Sequence, residues 1–284
     1  MIAIFIIMVV AIIFIFTFEK QYKIKQHLHE QAKLFNSIYN ASYDKYHSMA
    51  DTVYDSVINK KEIIEILKKS SILEEQNKTR KELYDTLLPD YTLLKSKYIK
   101  QLHFHLPDNS SFLRMHAPEI FGDDLTHIRL SVVNVNNHHK HIHGFEEGKL
   151  SNGFRFVFPL FDAKKYIGSV EISFSALSIL TSIMKNYDVF TNMLIRKNIV
   201  DRTLDKNEQT FYVQSPLNDF YFEKRVLDEL GSKFNPNQNA KEMQEKIIHE
   251  AVRLLERGGR SDRRYVQKVS TAKRKPRQTK RVLR

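Results

Sequence analysis

The chain has 284 residues, with 45 Lys and Arg against 33 Asp and Glu, and contains neither cysteine nor tryptophan. Lack of cysteine excludes a disulfide scaffold, a thiolate metal site and a cysteine nucleophile, while the length allows one or two domains with a real core. The formal net charge of +12 is concentrated at the end: residues 257–284 hold twelve basic residues and one acid, Asp262, so the preceding body is near neutral and carries no nucleic-acid footprint.

Met1 to Phe18 contain no charge and one polar side chain, Thr17. At about 1.5 Å per helical residue such a run crosses most of a hydrocarbon core of about 30 Å. It has neither a basic leader nor a small-residue cleavage site, which favours a retained anchor over a cleaved signal peptide. Glu19 to Asn59 then reads as a stalk helix, because Phe35, Ile38, Ser42, Met49, Val53 and Val57 recur at helical steps, with an interruption at Lys45–Tyr46. That stripe serves either a second copy of itself or the chain's own domain. Two more helical stretches follow, Lys60–Lys69 and Thr79–Tyr98, the second expected to bend or break at Pro89.

From Lys100 the period changes to two. KQLHFHL and SFLRMH alternate around the turn PDNS, predicting a β-hairpin. Asp123 to His139 reads as helical, and Ile142–Glu147, Gly153–Phe161 and Tyr166–Phe174 as three further strands. The fold class is therefore α+β: a membrane helix and stalk, a PAS-like five-stranded antiparallel sheet with helices, and a smaller second α+β module. A helix is expected over Ala176–Lys185, strands near Asp188–Asp201 and Gln209–Gln214, and a last helix over Ala240–Glu256. The implied divisions are 1–18 membrane helix, 19–99 stalk and packing helices, 100–186 membrane-distal module, 187–230 smaller proximal module, 231–256 linker and helix, and 257–284 disordered basic tail.

The segments QLHFHLPDNSSFLRMHAPEIFGDD (Gln101–Asp124), HGFEEG (His143–Gly148), NGFRFVFPLFD (Asn152–Asp162) and IGSVEISFS (Ile167–Ser175) resemble the double-Cache sensory domains of bacterial two-component sensor kinases. The resemblance implies an extracytoplasmic small-ligand sensor in the inner membrane, single-pass here, with its body in the periplasm and a homodimer formed through the stalk. It also implies a second membrane helix and an output domain. No second apolar run, histidine-kinase phosphoacceptor or cyclase core is recognisable, and the expectation is a sensor lacking an output domain, with its basic tail either native or the product of truncation, that works with a separate signalling partner. Two alternatives stand beside it. One is a membrane-tethered binding or scaffold protein without signalling. The other is a cytoplasm-facing protein that docks on lipid or nucleic acid through its basic tail, a reading favoured by Lys20, Lys23 and Lys25 directly after the anchor.

No P-loop, G-x-S-x-G, H-E-x-x-H or dinucleotide fingerprint is present, so the reading is not an enzyme and calls for no cofactor. The hairpin alternation puts Leu102, Phe104, Leu113 and Met115 on one face and His103, His105, Phe112, Arg114 and His116 on the other. The resemblance assigns the second face to a ligand pocket. Arg114 leads the candidates, since its planar fork matches a carboxylate and an arginine inside a strand must be paired. The partner is then a small anion, or internally Glu146, Asp123 or Asp124. Arg129 and Arg155 are candidates of the same kind. Phe145 and Glu146 complete the ligand-binding set His103, His105, Arg114, His116, Arg129, Phe145, Glu146 and Arg155. The H-x-H pairs His103/His105 and His141/His143 offer imidazole to zinc, copper or nickel, although His138, His139 and His141 also suit a solvated loop.

Overall fold

The computed structural model describes residues 2–96, 99–146, 152–187, 191, 193–204, 206–215 and 218–230. The expected helix at 240–256 and the basic tail at 257–284 lie outside the described residues.

Helix α1 (Ile2–Val53) joins the apolar run and the stalk without a break and ends in a π turn, Tyr54–Ile58. It is the one helix among the described residues that is long and apolar enough to cross a membrane. Two compact units divide the described residues, one over 2–41 and the other over those between 42 and 230. In the second unit follow α2 (Lys61–Leu67) and α3 (Gln76–Ser96). Pro89 lies inside α3 without ending it, so the expected break does not occur. The buried residues Leu83, Leu87 and Tyr91 line up at spacings of four on either side of the proline, so packing outweighs the lost backbone bond.

The main sheet holds β1 (Ile99–His105), β2 (Ser111–Arg114), β3 (Ile142–Glu146), β4 (Gly153–Asp162) and β5 (Lys165–Phe174). Its order is β2-β1-β5-β4-β3, antiparallel throughout. The region Asp123–His139 is shorter as a helix than the sequence suggests. Only α4 (Leu130–His138) forms, because turns closed by Ile128 N–H to Leu125 and Arg129 N–H to Leu125 occupy the residues before it. After β5 come α5 (Ala176–Tyr187), β6 (Leu194–Arg196), α6 (Lys197–Thr203), β7 (Tyr212–Gln214), β8 (Phe220–Glu223) and α7 (Lys224–Leu230). These make a three-stranded sheet of order β6-β8-β7. Of the strands expected near Asp188–Asp201, residues 188–190 and 192 lie outside the described residues, and the rest form a three-residue strand followed by a helix; Gln209 and Thr210 belong to a 3₁₀ turn before β7. The apolar Ile195, Val200 and Leu204 explain the helix: they cluster with Phe145, Tyr212 and Tyr221, which requires the chain to turn back on itself.

Strand register gives the main sheet two unlike faces, since side chains alternate along each strand. One face presents Phe104, Leu113, Val170, Ile172, Phe174, Phe154, Phe156 and Phe158. The stalk lies on it: Tyr43 meets Phe154 and Phe156, Tyr46 stands edge-on to Phe174 at 4.8 Å, and Tyr54 stacks on Phe158 at 4.5 Å. Tyr46, which the sequence reading took as an interruption of the stripe, is buried at its centre. Burial of each such ring contributes about 2–3 kcal/mol. The tyrosine hydroxyls are satisfied at the rim, Tyr46 donating to the Ser178 carbonyl at 3.0 Å and Tyr54 to the Pro159 carbonyl at 2.8 Å.

Candidate functional site

The opposite face of the same sheet is polar and nevertheless buried. Pairing of β1 with β5 sets Gln101 beside Ser173, His103 beside Glu171 and His105 beside Ser169; β4 adds Arg155 and β3 adds Glu146. Each of these residues is buried. A polar group taken from water without a partner costs several kcal/mol, so the arrangement persists only through internal pairing. Helix α4 and the turn before it supply the cover, lying against β3, β4 and β5. Asn136 pins that cover, donating to the Leu106 carbonyl at 2.8 Å and to Asn109 Oδ1 at 2.9 Å, and accepting from Tyr166.

Two arginines and two glutamates form the centre. Arg129 donates from Nε to Glu146 Oε2 at 3.0 Å and from its terminal nitrogen to Glu171. Arg155 donates to the other Glu171 oxygen at 2.5 Å. Glu146 also accepts from the Ser131 backbone N–H at 3.0 Å and from the Ser131 hydroxyl at 2.6 Å. Burial alone would push the Glu171 carboxyl up, but the guanidiniums of Arg129 and Arg155 outweigh it and hold the group well below the usual carboxylate range. Burial likewise works against the Arg129 charge, and Glu171 and Glu146 more than restore it.

Burial pushes the histidines beside this network toward their neutral form. Burial, assisted by the positive surroundings, keeps His103 well below the ordinary imidazole range; burial brings His105 down to about 3 despite Glu171, and His116 to about 4. His103 Nε2 lies 2.8 Å from the Ser111 hydroxyl and His105 Nδ1 lies 3.1 Å from the Ser169 hydroxyl. His105 Nε2 and His116 Nδ1 are buried and have no hydrogen-bond partner among the described residues. Such unsatisfied polar atoms are rare in folded proteins and mark places where a further polar group fits.

Arg114 sits opposite His103 across the hairpin, where the alternation put it. Its fork is filled from within: Nη1 and Nη2 donate to Asp123 at 2.7 and 2.8 Å, and Nη1 also donates to the Ile120 carbonyl at 2.7 Å. Of the three internal partners considered, Asp123 is the one used; Asp124 instead caps Thr126 and Glu146 serves Arg129. A bulge between Phe104 and His105 brings Ser111, not Phe112, opposite His105. Phe145 lies elsewhere than expected. It alternates with Glu146 on β3, faces away from the charged network, and packs on Phe154 and the smaller module. Thus His103, His105, Arg114, Arg129, Glu146 and Arg155 come together with His116 at their edge, and Phe145 does not join them.

Glu171 is the central residue that the sequence reading missed. The signal was available: in IGSVEISFS, Ser169, Glu171 and Ser173 recur at a step of two. His47 and Arg80 were missed as well. Arg80 is buried, donates to the Phe112 carbonyl at 2.7 Å and lies over the Phe121 ring at 3.5 Å, a capping role that no sequence spacing announces.

A family model, dCache_3, described as the double sensory domain of two-component sensor kinases, matches residues 24–213. The chain belongs to this double-Cache sensory family. The match is to a sensory and not to a catalytic domain, and it is preceded by a helix long and apolar enough to cross a membrane. Among curated proteins none matches the chain. Among solved structures, the V. cholerae histidine kinase DctB sensor domain is similar at 11% identity and a TM-score of 0.38, over 55% of this chain and 60% of that one. The extracellular domain of the putative histidine kinase vpHK1S-Z8 is similar at 13% identity and a TM-score of 0.36, over 56% of this chain and 59% of that one. The double-Cache chain therefore spans about 60% of the first of these structures.

Proposed function

We propose that this chain is the extracytoplasmic sensor module of a bacterial membrane receptor, that its polar sheet face recognises a small ligand, and that the ligand is an organic acid. The family match and the N-terminal apolar helix support the receptor setting. The ligand class rests on one observation: the Arg114 side chain is 7% exposed while the Asp123 side chain bound to it is 46% exposed. Asp123 is the outermost member of the charged network and occupies a carboxylate-shaped position from the solvent side. A ligand carboxylate can exchange with it on Arg114 without unpairing Arg129 or Arg155. The partnerless nitrogens of His105 and His116 then offer further polar contacts to the same ligand.

Binding would bias two arrangements of the sheet against the stalk, which is how a sensor transmits without chemistry. Leu34 and Phe35 of the stalk are exposed and provide a surface for dimerisation. The test is a thermal-shift screen of organic acids and amino acids on the full chain in detergent, for wild type and Arg114→Ala. Asp123 is exposed enough to be hydrated alone, so the variant should keep its sheet by circular dichroism. An acid should raise the wild-type melting temperature and leave the variant unmoved. A response that survives Arg114→Ala, or stabilisation only by uncharged compounds, would remove the organic-acid reading.

A further inference from the structure

Three imidazoles meet on the other side of the sheet, away from the charged network. His47 comes from α1, two turns before the π segment; His143 lies on the edge strand β3, and His141 immediately precedes that strand. One nitrogen of each falls within 4.8 Å of the others. His47 is stacked on Phe156, His141 on Phe158 and His143 on Phe156, so aromatic rings back all three imidazoles. His143 Nδ1 is 2.6 Å from the Tyr43 hydroxyl, which fixes that ring and leaves Nε2 for another partner. His141 is exposed and opens on a cleft of about 510 Å³ lined by Tyr54, His139, Lys140, His141, Phe158 and Pro159.

We propose that His47, His141 and His143 bind a divalent transition-metal ion, Zn²⁺ in the first instance, which clamps the stalk helix to the edge strand of the sensor sheet. Three imidazoles with a fourth position open to solvent are a familiar donor set for this ion. The surrounding charge suits a cation: Asp51 lies 3.8 Å from His47 Nε2 and Asp44 also acts on His143, against the single Lys140 at the cleft.

A second set, His103, His105 and Glu171, is equally close-knit. It is the poorer metal site. Both Glu171 oxygens are engaged by Arg129 and Arg155, and those guanidiniums repel a further cation. The stalk-side site stands independently of any ligand at the polar face. It would let a metal ion hold the helix whose movement carries the signal.

The experiment is calorimetric titration of the untagged full chain in detergent with Zn²⁺, and with Mg²⁺ and Ca²⁺ as controls. One Zn²⁺ per chain should bind, reversibly to chelator, with no response to the hard cations. His47→Ala and His141→Ala should each weaken binding at least about tenfold, and His127→Ala, in an exposed loop, should not. Tyr43→Phe, which removes only the orienting hydroxyl, should weaken it by about tenfold. Co²⁺ in place of Zn²⁺ should show tetrahedral visible absorption that His141→Ala abolishes. Since His141 is exposed, its loss should not unfold the chain. Zn²⁺ affinity unchanged in both His47→Ala and His141→Ala, or no binding at all, would overturn the proposal.

Discussion

Glu171→Gln tests whether the buried charge network holds the sensor sheet together. The substitution keeps the shape but removes the negative charge that two guanidiniums share, and turns one of the two accepting oxygens into an N–H donor that faces an arginine donor. In the wild type the carboxylate is fully buried, one oxygen taken by Arg129 and the other by Arg155, whose side chains are 7% and 2% exposed. After the change only Glu146 remains to offset both cations, and one buried positive charge is left over. Breaking a buried pair from one side costs about 3–5 kcal/mol, because the orphaned charge keeps its desolvation penalty. The assay is urea unfolding of the full chain in detergent followed by circular dichroism, with Arg155→Met and the double variant to close a cycle. If the cost is the orphaned charge, Arg155→Met should relieve part of it, with a coupling of about 1–3 kcal/mol. A Glu171→Gln loss below about 1 kcal/mol, the range of an exposed ion pair, would refute a network that the sheet depends on.

Two further outcomes follow from the same face. Because His105 and His116 titrate lower in the folded chain than the ordinary value near 6.5, the unfolded chain takes up protons first as pH falls. Stability should therefore be full above about pH 6.5 and decline progressively toward pH 4, measured as the urea midpoint against pH, and a flat profile over that window would contradict neutral buried imidazoles. Gly168→Ala should destabilise the sheet by about 3 kcal/mol or more, since Gly168 has φ +136° and an added Cβ would lie 2.2 Å from the His105 carbonyl oxygen; a melting temperature unchanged from wild type would show that β1 can move away.

The main sheet was legible because its strands carry period-two alternation bounded by strong turn formers. The hairpin register His103 to Arg114 came directly from PDNS, as Pro, Asp and Asn left few ways to place the turn. The smaller module was not legible to the same depth. Its strands are three or four residues long, too short to establish a period, and their apolar residues are shared between strand and helix. At the polar face the sequence supplied the residue types but not their pairings. Nothing in linear spacing chooses Asp123 over Asp124 for Arg114, because the turns after Met115 decide which acid comes back to the fork. Glu171 and Arg129 are 42 residues apart and meet only because β5 is the central strand. His47 was hidden for a different reason: a histidine on a stalk helix resembles any solvated side chain until the edge strand is laid beside it.

The two faces are coupled by the strand that separates them. Along β5, Glu171 points into the charged network, while Val170, Ile172 and Phe174 point at the stalk side. Phe174 rests on Tyr46, and Tyr46 is tied by its hydroxyl to the carbonyl of Ser178 just beyond β5. A rearrangement around Glu171 that shifts β5 must therefore shift a contact at the centre of the stalk interface, because a close-packed core transmits strain instead of absorbing it. The His47–His141–His143 cluster lies at the edge of the same interface, through β3 and the residue that follows Tyr46 on the stalk. If an acid at Arg114 and a metal at the histidines prefer the same arrangement of stalk and sheet, each must raise the other's affinity by the same factor; if they prefer different ones, each must lower it equally. With both proposals in place, the sheet would be the element on which a chemical signal and a metal signal are compared.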